Sequence, residues 1–396
     1  MRGYKTTSTT SGALVLTAAA LLAAVTACAH GPVGNASDEG KAPGKEARTP
    51  FTLVATGDIL PHGSVIEQAN RDAGGNGHDF RPMLAGVKPV ISAADLAICH
   101  METVYGPEGG PFSGYPSFVS PPSLATAAKA TGYDSCSTAS NHTLDAGFPG
   151  VTRTLDALDA AGVAHAGSAR TPAEALRPAM LEAGGATVAQ LAYTYGTNGK
   201  PLPHQPWAVN LTDPERIVSD ARRARRAGAD VVVVSLHWGT EWQDAPDATQ
   251  RRLARELTAA RSAGAPDVDL IIGTHAHVPQ AYEKVNGTWV VYGMGDQIAG
   301  RMINNAGEKD PRGNQGTIGR FTFSPPKPRS ARWQVTKAEF LPQLMDHDRA
   351  GPPRVVDLGA ELADGDAPER YRRVHDRISD VVLSRGAAQD GLTAPR

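Results

Sequence analysis

Asp269-Leu-Ile-Ile-Gly-Thr-His-Ala-His277 (DLIIGTHAH) is a short apolar strand that runs straight into two histidines. Leu and Ile closed by a glycine have the length and composition of a buried strand. An extended chain sends residues i and i+2 to one side, which predicts that His275 and His277 converge just past the strand's C-terminal end. In open α/β sheets ligands bind at that end, and imidazole is a common metal ligand. Two partly exposed loop histidines are the plain alternative. The choice turns on whether other strands end in partners for the pair.

Four other strands do. FTLVATGD (Phe51–Asp58) ends in Asp58, DLAICHME (Asp95–Glu102) in Glu102, and YDSCSTASNH (Tyr133–His142) in Asn141 and His142. ADVVVVSLHWG (Ala229–Gly239) ends in His237, with Glu241 just beyond, and its unbroken valines predict burial on both faces. Between these runs the spacing predicts helices over Met83–Ser92, Ser123–Thr131, Gly150–Gly162 and Thr249–Ala263, and one from an N-cap at Thr212 to Ala227. Gly184-Gly185 marks a hairpin. Alternating strands and helices argue for a sheet with helical faces. The later strands, Trp289–Gly295, Thr317–Phe323 and Val335–Met345, suggest a mixed second sheet. Pro368–Ser384 reads as an amphipathic helix with an exposed basic face.

Carboxylate, amide oxygen and imidazole together suit divalent Mn, Fe or Zn, and not an all-oxygen Ca or Mg cage. Two such ions about 3.5–4 Å apart can activate water and hold a phosphoryl group. Each residue also has an ordinary use. Asp58 could cap a turn, Glu102 could lie on the surface, and Asn141 could close an Asx-turn. His142 could be a satisfied core histidine, and His237 could pack on Trp238.

The remaining composition places the chain. Of its 396 residues, 1–27 carry a weakly basic start and an apolar run (Ala13 to Val25) too short to span a membrane, which reads as a signal peptide. Val25-Thr26-Ala27-Cys28 resembles a lipobox, implying cleavage before Cys28 and a lipid anchor on it. An ordinary secretory cut near Ala27 or Ala29 is the alternative. Either way the chain is expected outside the cytoplasm, at the cell membrane if lipidated. Residues 28–50 read as a flexible tether, and the net charge of −2 gives no case for nucleic acid. Cys99 and Cys136 are expected as two buried thiols, although export permits a bridge.

Taken in order, GDI, DLAICHMET, GYDSCSTASNHTLDAG, VVVVSLHWGTEW, DLIIGTHAHVPQ and VVYGMGD resemble the CapA family of poly-γ-glutamate capsule synthesis, within the calcineurin-like metallophosphoesterase superfamily. The resemblance spans residues 51–345 and leaves 346–396 as a helix-bearing extension. It implies a four-layer αββα sandwich. It also implies metal ligation by Asp58, Glu102 (bridging), Asn141, His237, His275 and His277. His237 and His275 would share one metal with Asn141, and His277 would share the other with Asp58. His142 would be the acid that steadies the phosphoryl group or protonates the leaving group. The chain departs from the pattern at Leu60, where the superfamily has a histidine, and at His100, Ser140, Thr274 and Asp296; His62 could stand in for the missing ligand but reads as a turn residue.

The function implied is a lipid-anchored metal-dependent hydrolase, phosphoesterase-like, acting on a phosphoester or an anionic envelope polymer such as poly-γ-glutamate. The alternative is a non-catalytic accessory protein that binds such a polymer or a capsule synthase complex. Arg222, Arg223, Arg225 and Arg226 could bind a polyanion, but a solvated face suited to the helix dipole is the preferred reading.

Overall fold

The protein is described from a computed structural model covering residues 47–327 and 332–395. The signal peptide, Cys28 and nearly all of the tether lie outside the described residues. Four parallel strands begin the first sheet: β1 (Phe51–Leu60), β2 (Leu96–Met101), β3 (Ser135–Ser137) and β4 (Ala164–Ala166). Helices α1 (Gly63–Asp72), α2 (Ser123–Thr131) and α3 (Gly147–Ala161) lie in their connections. The second sheet opens with the antiparallel hairpin β5 (Ala179–Ala183) and β6 (Ala186–Thr194). It continues through β7 (Val231–His237), β8 (Leu270–Thr274), β9 (Tyr282–Val285) and β10 (Thr288–Val291), with α4 (Pro214–Arg226) and α5 (Ala248–Ala259) between.

The chain then returns to the first sheet. β11 (Asp296–Ala299) runs parallel to the end of β1, while β12 (Gln315–Ser324), β13 (Gln334–Asp346) and β14 (Arg354–Asp357) extend the sheet antiparallel. After α6 (Glu369–Leu383), β15 (Leu392–Thr393) pairs with β13. The late strand Thr317–Phe323 thus sits beside β1 with Val335–Met345 on its other side, and the two do not complete the second sheet as expected. Their aromatic residues explain the choice. Phe321, Phe323 and Phe340 face the gap between the sheets, where Phe323 stacks on Phe51 at 5.2 Å.

Side-chain alternation builds the layers. Phe51, Leu53, Val231, Val233, Leu270 and Ile272 fill the space between the sheets. Val54 and Ala97 turn outward onto Leu124, Leu155 and Leu158 of α2 and α3. Val232, Val234 and Ile271 turn the other way onto Ile217, Leu253 and Leu257 of α4 and α5. The result is the four-layer αββα sandwich. Each fully buried apolar side chain contributes roughly 1.5–3 kcal/mol of transfer free energy. Leu358, Tyr371, Ile378 and Val382 also enter the inter-sheet core, so the segment after residue 345 packs into the same body.

Several local expectations shift. The third strand stops at Ser137, because hydroxyls fold Thr138–His142 into a loop: Thr143 Oγ1 donates to the Thr138 carbonyl at 2.9 Å and accepts from Ser140 N–H at 2.8 Å. The N-cap of α4 is Asp213, whose carboxylate accepts from Glu215 and Arg216 N–H, and not Thr212. Met83–Ser92 is two short helical pieces broken at Gly86, where a Cβ would meet the Val355 carbonyl. Cys99 and Cys136 are not separate thiols. They are register partners on β2 and β3, with Cα atoms 4.4 Å apart, and are joined as a disulfide. Of the four arginines on α4, Arg222 pairs with Asp267, Arg223 with Asp220 and Arg225 with Asp269, which favours the structural reading of that cluster. No helix among the described residues is long and apolar enough to cross a membrane.

Candidate metal centre

Both sheets direct the C-terminal ends of their parallel strands to one place. Asp58 on β1 is in register with His100 on β2, and Thr274 on β8 with His237 on β7. Gly57 allows β1 to approach the 294–295 turn: Asp58 N–H donates to the Gly295 carbonyl at 3.0 Å, and any Cβ at position 57 would run into that carbonyl. His275 and His277 lie beyond the end of β8, so strand alternation does not bring them together. Both adopt left-handed backbone, φ +91° and +57°, and their rings stand 6.0 Å apart. Non-glycine residues held in that region cost roughly 1–3 kcal/mol each and concentrate at functional sites.

Among the described residues, three groups have donor atoms within 4.8 Å of one another: Asp58, His100 and His237; Asp58, Glu102 and His277; and Glu241, His275 and His277. Asn141 joins them, its Oδ1 2.9 Å from His237 Nε2. All six expected ligands are therefore brought together. The structure adds His100 and Glu241 and groups His275 with His277. Buried polar atoms are normally satisfied. Here Asp58 Oδ1, His100 Nε2, both Glu102 oxygens, His275 Nδ1 and Asp296 Oδ2 are buried without a hydrogen-bond partner. That is the donor set a divalent cation of the Mn, Fe or Zn class would satisfy, so the residues fit the group. His277 Nδ1 donates to Asp296 Oδ1 at 2.9 Å, and His100 Nδ1 bonds Ser137 Oγ at 2.7 Å. Such partners fix ring orientation and leave the other nitrogen for a metal.

The electrostatics agree. Burial, with the Asp296 carboxylate beside it, pushes the Asp58 carboxyl up to about 8. Burial and then Asp58 raise Glu102 well above the carboxylate range, and burial raises Asp296. Burial holds His100 down to about 3 and keeps His237 and His275 well below the usual imidazole value, with neighbouring imidazoles adding to it. Burial opposes protonation of His277, but Asp296 and Glu102 hold it well above that value. Clustered carboxyls thus retain protons that a divalent cation would replace.

His142 stands beside this cluster. Its Nδ1 bonds Asp145 Oδ2 at 2.7 Å, and Lys200 Nζ lies 3.4 Å from Asp145 Oδ1. Asn198 Nδ2 is 3.5 Å from His142 Nε2. Tyr195, half-exposed, lays its ring 4.5 Å from that of His275. Sequence reasoning missed Asp145, Lys200, Asn198 and Tyr195; only Asp145, three residues after His142, carried a usable spacing signal. His62 is the N-cap residue of α1, and its Nδ1 accepts from Gly300 N–H at 3.1 Å. A cleft of about 620 Å³ opens on the cluster, lined in part by His142, Glu241 and His277.

Comparison with known proteins adds a family. The chain is 32% identical over 162 residues to the PGA biosynthesis protein CapA of Bacillus subtilis, covering 40% of this chain and 41% of that one. It is 28% identical over 183 residues to a Mycobacterium tuberculosis protein named "probable polyglutamine synthesis accessory protein", covering 41% and 44%. The matches thus span about two fifths of the length of these relatives. Among solved structures, the calcineurin-like phosphoesterase YfkN of Bacillus subtilis is similar at 14% identity and a TM-score of 0.43, covering 85% of this chain and 98% of that one. The NAD nucleotidase of Haemophilus influenzae is similar at 12% and 0.45, covering 84% and 60%. The family model described as "Bacterial capsule synthesis protein PGA_cap" matches residues 52–301, more than half of the chain and every strand end of the cluster, and this chain therefore belongs to that family.

Proposed function

We propose that this protein is a metal-dependent hydrolase of the phosphoesterase type, acting outside the cytoplasm in the metabolism of a capsule or another anionic envelope polymer. The observation that carries the reading is the set of unpartnered buried acceptors on Asp58, His100, Glu102, His275 and Asp296, gathered beside an open cleft. One or two divalent ions would be held by Asp58, Glu102, Asn141, His237, His275 and His277, assisted by His100 and Glu241. They would supply Lewis acidity and a nucleophile at neutral pH. The chain's own residues do the rest. Asp145 fixes the His142 ring and its tautomer, leaving Nε2 as the atom that gives or takes a proton at the cleft. Asp296 orients His277.

A second reading, a non-catalytic accessory protein that binds the polymer or a synthase complex, is favoured by Leu60. It offers no ligand atom beside Asp58 and is buried in an apolar cluster instead. The two readings separate in one assay. The purified chain, supplied with Mn, is tested on bis(4-nitrophenyl) phosphate, 4-nitrophenyl phosphate and poly-γ-glutamate, with His142→Ala beside it. Hydrolysis lost in the variant supports the enzyme; a metal-loaded protein that binds the polymer and turns nothing over supports the accessory. Export and anchoring through Cys28 belong to the same proposal: Cys28→Ala is expected to release the protein from membranes, and unchanged membrane association would overturn the anchor.

A further inference from the structure

The cleft beside the cluster is mixed in chemistry. His142, Glu241 and His277 line it with Arg301, Asn304 and Asn305, and so do Tyr115, Phe118, Trp242, Met302 and Ile303, with Phe118 packed 4.8 Å from the His142 ring. Leu60, Phe118, Ala299 and Met302, with Trp242 packed on them, form an apolar cluster of their own, separate from the three large cores. Tyr115 and Ile303 are 79% and 50% exposed, so apolar surface continues from that cluster out to solvent. Trp242 is held at φ +67°, which a bulky side chain rarely adopts. Its N–H donates at 2.8 Å to the carbonyl of Ala276, the residue between the two cluster histidines. Strain at such a place is characteristic of binding and catalytic sites. The nearby cation is engaged: Arg301 pairs with Asp348 at 2.6 Å and donates to the His347 carbonyl. Asn304 Oδ1 likewise accepts from the Ala306 and Glu308 N–H groups of its own loop, so the apolar liners offer a surface for an uncharged group.

We infer that these apolar liners form a subsite for an apolar, ring-bearing part of the substrate, so that the preferred substrates are phosphoesters of aromatic or cyclic alcohols. The identity of the reacting group rests on the hydrolase reading above; the subsite itself does not. A pocket of this size can bury most of a small organic ligand, and aromatic walls gain ring contacts beyond simple area.

The test titrates the full, manganese-saturated chain calorimetrically with phenylphosphonate and with methylphosphonate. Phenylphosphonate is expected to bind at least tenfold more tightly. Tyr115→Ser and Ile303→Asp alter exposed side chains outside the large cores. Each is expected to cut that ratio at least threefold and leave methylphosphonate affinity unchanged. Equal affinities, no binding of either probe, or a ratio untouched by both variants would overturn the subsite. A tenfold ratio in a protein that hydrolyses no phosphoester supports the subsite and defeats only the hydrolase reading. Turnover without the ratio does the reverse.

Discussion

Asp296 shows how one side chain changes meaning between sequence and structure. In the sequence it is a departure that adds negative charge; in the fold it holds His277 at 2.9 Å. We predict that Asp296→Asn lowers metal affinity about 10–100-fold, read by titration against a competing chelator; unchanged affinity would show that the bond is incidental. Asp145 holds His142 in the same manner. Asp145→Asn is expected to reduce kcat by roughly 10²-fold with little change in KM and to displace the pH profile, whereas a merely structural aspartate would lower stability and leave that profile in place. The six ligands expected from the sequence are visible there because each ends an apolar run. Asp145, Asn198 and Tyr195 are not, since they reach the site through turns whose course no periodicity records.

At the level of elements, stop signals are local and pairings are not. Gly132 and Gly162 end α2 and α3 in left-handed backbone, and both helices are legible from the sequence. The return of β12 to β1 is not legible, because its partner lies more than 250 residues earlier in the chain, and β13 follows β12 into the same sheet as its antiparallel neighbour. The crossing of β1 over the 294–295 turn is equally non-local, and Gly57 permits it. Gly57→Ala is predicted to cost about 1–3 kcal/mol through overpacking and to weaken metal binding by moving Asp58, measured by urea unfolding and by metal content. Unchanged stability would mean that the strand can shift freely. Asp247 caps α5 in a full capping box with Gln250; Asp247→Ala should cost about 1 kcal/mol with metal content unaltered.

Over the whole molecule, the buried carboxyls couple stability to pH and to metal. Asp58, near 8 when folded, and His277, raised as well, both bind protons more tightly in the folded state. Their contribution is present at low pH and is lost as pH rises through the folded values. The depressed histidines His100, His237 and His275 act in the opposite sense, and mainly below their usual value. Between about pH 6.5 and 8 the first pair dominates, so the metal-free protein is predicted to lose stability on going from pH 6.5 to 8. Metal displaces those protons, so its affinity should rise over the same range. Free metal at about 100 times Kd should add ~2.7 kcal/mol of stability. Thermal melts at the two pH values, with and without Mn, read both effects; a metal-free protein that gains stability toward pH 8 would contradict the assignment. The central claim is that strand ends from two sheets build a metal centre, and metal content tests it most directly. The purified chain is incubated with Mn, dialysed and measured by inductively coupled plasma mass spectrometry beside Asp58→Ala and His275→Ala. The account predicts at least one ion retained per wild-type chain and a marked loss in both variants; a wild type that emerges metal-free, or variants that keep the full complement, would contradict it.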